Sequence, residues 1–204
     1  MASVTLVNYG LGNIQAFAHI YHRLGMSVEI ADTPEQLARA ERIILPGVGA
    51  FDWAMSRLVQ SGLRETLDDL VLNRGRPVLG VCVGMQMMAQ RSEEGSSAGL
   101  GWIEGDVVRF REETVRDTGL PHMGWNDISL SGSAALFRDI SSPRYYFLHS
   151  YFVAPRNPAH TIATAFYGHE FAAAIGHRNI FGTQFHPEKS HGWGIELLRN
   201  FAEI

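Results

Sequence analysis

The sequence predicts an α/β fold in which a central, mostly parallel sheet is flanked by helices and extended by an antiparallel or mixed β portion, in a single domain over residues 1–204. Three observations carry this. Short apolar or β-branched runs bounded by Gly or Pro recur through the first part of the chain, and stretches with helical spacing separate them. After about residue 100 helical patterns thin out and β-like runs follow one another.

Taken in order, residues 3–8, 27–31, 41–45 and 77–82 read as strands. Ile14, Phe17, Ala18 and Tyr21 mark one helical stretch between them, and Leu58, Leu63, Leu67 and Leu70 another, with Gly25 and Gly75 as stop signals. Alternating strands and helices give a parallel sheet covered on both faces, with sites at the carboxyl ends of the strands. Residues 107–110, 144–153 and 161–167 suggest hairpins or a mixed sheet. A strand over 180–186 follows, and 194–204 closes the chain as an amphipathic helix with Ile195, Leu198 and Phe201 on one face.

Composition excludes several classes of function. Hydrophobic residues make up 46% and charged residues 19%, enough to build a core and unlike a disordered chain. Seventeen Lys and Arg against 21 Asp and Glu give a net charge of -4 with no basic run, which argues against nucleic acid as a partner. No apolar stretch reaches the roughly 20 residues of a membrane span. Met1-Ala2-Ser3-Val4 also lacks the basic region of a signal peptide, so a cytoplasmic protein is expected. A single cysteine, Cys82, cannot form an internal disulfide, which fits a reducing compartment.

Cys82 lies in Gly80-Val81-Cys82-Val83-Gly84, at the end of an apolar strand and ahead of the helix formers Met85 to Ala89. This is the pattern of a strand-turn-helix elbow, where the nucleophile takes a strained conformation and flanking glycines remove Cβ atoms that would clash. A free thiol is only about 3% ionised at pH 7, and a helix N-terminus with a neighbouring imidazolium raises that fraction. The plainer reading, a small buried hydrophobe, also fits Cys82 taken alone.

Near the other end, His186-Pro187-Glu188 places an imidazole and a carboxylate two residues apart. Proline favours an extended conformation at His186, and in extended chain i and i+2 share a side, so Glu188 is expected to orient the ring. His186 would then take the thiol proton and return it to a leaving amine. A polar turn after a strand is the alternative for the tripeptide in isolation. Pro46-Gly47-Val48-Gly49 follows another strand, and its glycines let backbone N–H groups approach a developing negative charge, though an ordinary strand-to-helix loop would look similar.

Through Pro46-Gly47-Val48-Gly49, Gly80-Val81-Cys82-Val83-Gly84-Met85-Gln86 and Gln184-Phe185-His186-Pro187-Glu188 the chain resembles the class I glutamine amidotransferases. Within them it is similar, from end to end, to the glutaminase subunits of imidazole glycerol phosphate synthase of histidine biosynthesis. That narrower resemblance rests on residues 8–13, 99–101, Pro121-His122-Met123-Gly124-Trp125-Asn126, residues 147–151 and Glu188-Lys189-Ser190.

The resemblance implies a glutaminase that hydrolyses L-glutamine with a Cys82-His186-Glu188 triad and an oxyanion loop of Gly47, Val48 and Gly49. Glutamine would be held by Gly49, Gln86, His149, Ser150 and Tyr151, with no metal and no cofactor. It further implies a heterodimer with a (β/α)8-barrel synthase subunit that receives the ammonia through a channel, with Asn13, Met123, Trp125, Tyr146 and Lys189 towards that partner. Trp125 and Tyr146 could equally be ordinary core or surface aromatics, and Lys189 a solvated charge. Residues 51–55 and 190–194 look like a paralogous branch that supplies ammonia for amidination of a surface-polysaccharide sugar. The sequence also leaves room for a catalytically silent regulatory partner or a peptidase of related fold.

Overall fold

The computed structural model describes residues 3–131 and 135–204. Met1 and Ala2, part of the segment on which the signal-peptide expectation rests, lie outside the described residues. The first half alternates as expected: β1 (Ser3–Val7), α1 (Ile14–Arg23), β2 (Ser27–Ala31), α2 (Pro34–Leu37), β3 (Ile43–Gly47), α3 (Phe51–Gln60), α4 (Arg64–Asp68) and β4 (Val78–Cys82). α1 buries Ile14, Phe17, Ala18 and Tyr21, and Gly25 at φ 69° ends the segment where a side chain would be strained. β3 and β4 are buried along their whole length, as parallel strands covered on both faces must be.

The leucines at 58–70 do not share one helix. Gly62 at φ 74° interrupts the run after α3, so Leu58 belongs to α3 and Leu67 to α4, which continues into a π-helical turn, Asp69–Asn73, that buries Leu70.

The second half contains α5 (Val83–Met87), β5 (Arg91–Ser92), β6 (Gly105–Arg109), β7 (His122–Asp127), β8 (Ser129–Leu130), β9 (Arg144–His149), β10 (Tyr151–Pro155), β11 (Thr161–Tyr167), β12 (His169–His177), β13 (Ile180–Thr183) and α6 (His191–Ala202). The main sheet runs β2-β1-β3-β4-β13-β12-β11-β8. It is parallel from β2 to β13 and antiparallel beyond, because short connections join β11, β12 and β13. The mixed portion predicted after residue 100 is therefore partly this far half and partly two small sheets, β10-β6-β5 and β7-β9.

Three boundaries differ from those the sequence predicts. The run over 144–153 is two strands: Ser150 separates β9, paired with β7, from β10, paired with β6. β13 stops at Thr183, and α6 begins at His191 with Leu197, Leu198 and Phe201 buried while Ile195 is only partly so. α1 lies against α6, where the Tyr21 hydroxyl donates to the Leu198 carbonyl (3.1 Å). Among the described residues no helix is long and apolar enough to cross a membrane.

Candidate active site

Cys82 ends β4 and occupies the turn into α5 with φ 55° and ψ -113°, a region that non-glycine residues enter only when surrounding structure enforces it. That enforcement comes from close backbone approach. A Cβ on Gly84 would lie 1.9 Å from the Leu45 carbonyl oxygen, and one on Gly80 would lie 2.7 Å from the Gly84 carbonyl oxygen. β3 and β4 thus press against the elbow with no room for side chains. α5 spans only five residues, shorter than the predicted run to Ala89, so its dipole is weak.

His186 follows β13 by three residues and is fixed through its backbone. Its N–H donates to the Tyr146 carbonyl (2.9 Å), while the buried Ser190 hydroxyl donates to the His186 carbonyl (2.6 Å) and accepts from the Tyr146 N–H (3.0 Å). Imidazole Nδ1–H donates to Glu188 Oε1 at 2.9 Å, with both side chains almost fully buried. The route differs from the extended chain predicted. His186 itself is extended, but Pro187–Lys189 form a 3-10 turn, and that turn brings the Glu188 carboxylate back to the ring.

With Nδ1 committed to Glu188, Nε2 is the nitrogen left for Cys82. Burial disfavours a charged imidazole here, yet hydrogen bonds and negative charge at Cys82 and Glu188 outweigh it, and the His186 pKa is raised to about 10. The Cys82 thiol also lies 3.9 Å from the Leu148 carbonyl, and the Gln184 amide donates to its sulfur at 3.8 Å.

A cavity of about 180 Å³ opens beside the sulfur, lined by Val48, Gly49, Gln86, Glu94, His149 to Tyr151 and His186 among others. All residues predicted to hold glutamine (Gly49, Gln86, His149, Ser150 and Tyr151) line it. Val48 is 40% exposed at the rim and Gly49 has φ 86°. Gly47 corrects the expected loop. It is the last residue of β3 and does not line the cavity; a Cβ there would lie 2.3 Å from the Gly84 backbone nitrogen, so its glycine serves the packing of the elbow.

Three lining residues are not apparent from the sequence: Val83, Glu94 and Leu148. A signal for Val83 exists, because the residue after an elbow nucleophile brings its N–H to the site. Glu94 carries none, since it sits in a polar loop, where its carboxylate accepts from the Phe51 N–H at the start of α3 (2.8 Å). Leu148 looks like a strand residue and nothing more.

Of the residues predicted to face a partner, four form one surface beside the cavity. Met123 pairs with Leu148 and Trp125 with Tyr146 across β7 and β9, and the Lys189 ammonium lies 6.0 Å from the Tyr146 ring centre. Met123 is 65% exposed and Trp125 is 38% exposed, so neither is a core residue. Trp125 also stacks on His191 (5.2 Å) and lies 6.4 Å from Trp193. Asn13 is exposed at the N-terminus of α1. Because β1 is parallel to β3 and β3 to β4, its loop opens on the same sheet edge as Cys82.

A strained elbow cysteine, an imidazole held by a carboxylate and a small cavity at the carboxyl ends of a parallel sheet are the arrangement of thiol-nucleophile enzymes. The chain belongs to the glutamine amidotransferase class-I family, whose model matches residues 5–204. Among its relatives, the imidazole glycerol phosphate synthase subunit HisH of Bdellovibrio bacteriovorus is 53% identical over 98% of this chain and 100% of its own. That of Leptospira borgpetersenii is 44% identical over 98% and 100%, and subunit HisH 2 of Pseudomonas aeruginosa 44% identical over 98% and 99%. The fold is shared with PurLQS from Thermotoga maritima, with TM-score 0.72 and 16% identity over 98% of this chain and 97% of the matched one.

Proposed function

We propose that the chain is the cytoplasmic glutaminase subunit of imidazole glycerol phosphate synthase, a single domain that hydrolyses L-glutamine and passes ammonia to a (β/α)8-barrel synthase subunit. The observation that carries the chemistry is the buried His186, joined to Glu188 at 2.9 Å and lining the same cavity as the elbow cysteine. His186 takes the thiol proton, and the sulfur attacks the side-chain carbonyl carbon of glutamine. Backbone N–H groups of the Val48–Gly49 loop and of Val83 face the oxygen that becomes negative. Collapse breaks the carbon–nitrogen bond, the imidazolium proton leaves with ammonia, and water then releases glutamate from the thioester. Glu94 lines the same cavity and supplies a carboxylate suited to the α-ammonium of free glutamine. No step calls for a metal or cofactor.

The need for a partner follows from the product. Ammonia is mostly protonated in neutral water and unreactive as a nucleophile, so a covered passage preserves it. Lys189 lines the cavity, and Met123, Trp125 and Tyr146 lead away from it along β7 and β9 as an apolar, aromatic surface that a stable partner would cover, with Asn13 on the same edge. Cys82→Ala tests the reading in the complex: glutamine-dependent synthesis should vanish and ammonia-dependent synthesis persist. Glutamine-dependent synthesis in that variant refutes Cys82 as the nucleophile.

A second reading keeps the chemistry and changes the acceptor to a surface-polysaccharide sugar. It rests on the resemblance of residues 51–55 and 190–194 to that branch; Trp53 there is 54% exposed and Trp193 lies beside Trp125, on the surfaces where a different partner would differ. Complementation of a histidine auxotroph separates the two.

A further inference from the structure

At the cavity wall, two histidines that the triad does not use are buried together: His149, which lines the cavity, is 6% exposed, and His122 behind it is 3%. They sit among Phe110, Phe147, Tyr167 and Phe171, with the His122 ring stacked on Tyr167 at 4.1 Å and on Phe147 at 4.7 Å. Burying two imidazoles is costly unless their nitrogens are paired. Here all of them are. His149 Nδ1 lies 2.9 Å from the Tyr151 carbonyl, His149 Nε2 lies 3.0 Å from His122 Nδ1, and the Asn126 amide nitrogen lies 3.3 Å from His122 Nε2.

The direction of this chain is forced. A carbonyl only accepts, so His149 carries its proton on Nδ1 and its Nε2 is bare in the neutral ring. His122 must then donate from Nδ1, which leaves its own Nε2 to accept from the Asn126 amide. The Asn126 amide also donates to the Phe166 carbonyl at 2.9 Å. Each proton position follows from its neighbour, back from the Tyr151 carbonyl.

That carbonyl is a hub. It accepts a second hydrogen bond from the Gln86 side-chain amide (2.9 Å), which also donates to Gln184 Oε1 (3.2 Å), while Gln184 donates to the Cys82 sulfur (3.8 Å). With its amide nitrogen engaged twice, Gln86 is held in one of its two flip states and keeps its oxygen for the cavity. Burial lowers the pKa of His122 to about 4 and, with repulsion that a proton on His149 would meet from His122 and His186, that of His149 to about 3, so both rings are neutral at working pH.

We propose that Asn126, His122 and His149 are positioning residues for the glutamine site, whose one-way hydrogen-bond chain fixes the Tyr151 carbonyl and through it the Gln86 and Gln184 amides against Cys82. The proposal deepens the glutaminase reading and rests on it for the identity of the ligand. Asn126 and His122 stand outside the cavity and His149 at its wall; all three act through Tyr151 and Gln86.

Two measurements test it. Nitrogen-15 spectra of histidine-labelled protein should give both rings as the Nδ1–H tautomer, the less common one for free imidazole; an Nε2–H tautomer at His149 overturns the proposal irrespective of any activity. In glutaminase assays on the complex, His122→Phe keeps the stacking ring but removes the donor to His149, and should raise KM for glutamine about tenfold with kcat within about threefold, the effect of one buried hydrogen bond. His122→Asn places an amide N–H where Nδ1 stood and should restore most of the loss. If His122→Phe fails to fold, Asn126→Asp, at a less buried site, replaces the donor with an acceptor and should move a proton onto His122 Nε2 in the spectra. An unchanged KM in His122→Phe, or unchanged spectra in Asn126→Asp, overturns the proposal. A wild-type complex without glutaminase activity but with both tautomers as expected would instead refute the functional reading.

Discussion

Glu188→Gln isolates how the carboxylate serves His186. The substituted side chain keeps an oxygen that can accept from Nδ1, so geometry is largely retained, but the negative charge 2.9 Å from the ring is lost. Burial lowers the His186 pKa, whereas hydrogen bonds and charge at Cys82 and Glu188 raise it to about 10. A hydrogen bond to a charged partner contributes about 1.5–3 kcal/mol, or roughly one to two pH units at 1.36 kcal/mol per unit. The alkaline limb of the glutaminase rate, set by loss of the imidazolium proton, should therefore move from near 10 to about 8–9. Rate at the optimum should fall on the order of 100-fold, the lower range for impaired acid–base catalysis. Stability carries the same sign. The raised folded value contributes fully below the ordinary 6.5 and is lost as pH rises through about 10, so variant and wild type should differ at pH 7 and converge above 10. Ammonia release by the complex across pH 6 to 11, with denaturant unfolding alongside, measures both. An alkaline limb that stays in place refutes the assignment of Glu188 as the group that holds the proton on His186.

Gly84→Ala puts a Cβ 1.9 Å from the Leu45 carbonyl oxygen, an approach to backbone that no rotamer relieves, and should cost about 3 kcal/mol or more in thermal unfolding; an unchanged midpoint would refute the close packing of the elbow. The lowered pKa values of His122 and His149 place their contribution to stability fully above 6.5, declining as pH falls towards about 4 and 3. At pH 5 the loss for His149 is about 2 kcal/mol, and His122→Phe should flatten the acid slope, as denaturant titrations would read. Trp125→Ala should weaken binding to the synthase subunit by about 2 kcal/mol, roughly thirtyfold in Kd by calorimetry, with the isolated chain's stability little changed; equal affinity would move the interface elsewhere.

How far the sequence reveals this protein depends on the range of the interactions involved. The parallel half of the sheet is legible because β1 to β4 are runs whose composition and bounding glycines signal them locally, with β3 and β4 wholly buried. Ser150 as a strand break is not, since it depends on β9 and β10 choosing different partners far along the chain. Cys82, His186 and Glu188 stand out because their glycines and proline impose geometry within a few residues. Even there, the extended route from His186 to Glu188 gives way to a 3-10 turn with the same end point. Glu94 and the His122–His149 pair are silent as chemistry, because only folding sets the carboxylate by the cavity and brings two imidazoles 27 positions apart to 3.0 Å.

The backbone of Tyr146 has two neighbours of very different kind. On one edge of β9 it runs beside β7, which displays Trp125 outward; on the other, its N–H and carbonyl carry Ser190 and His186. Strands stand about 4.8 Å apart. The aromatic face and the backbone contacts of His186 are thus separated by little more than one strand, with no domain hinge between them. β9 resembles a short beam, with the surface proposed for a partner on one flange and the hold on His186 on the other. If a partner is seated on that face, any shift it imposes on β9 would also move the group that holds His186.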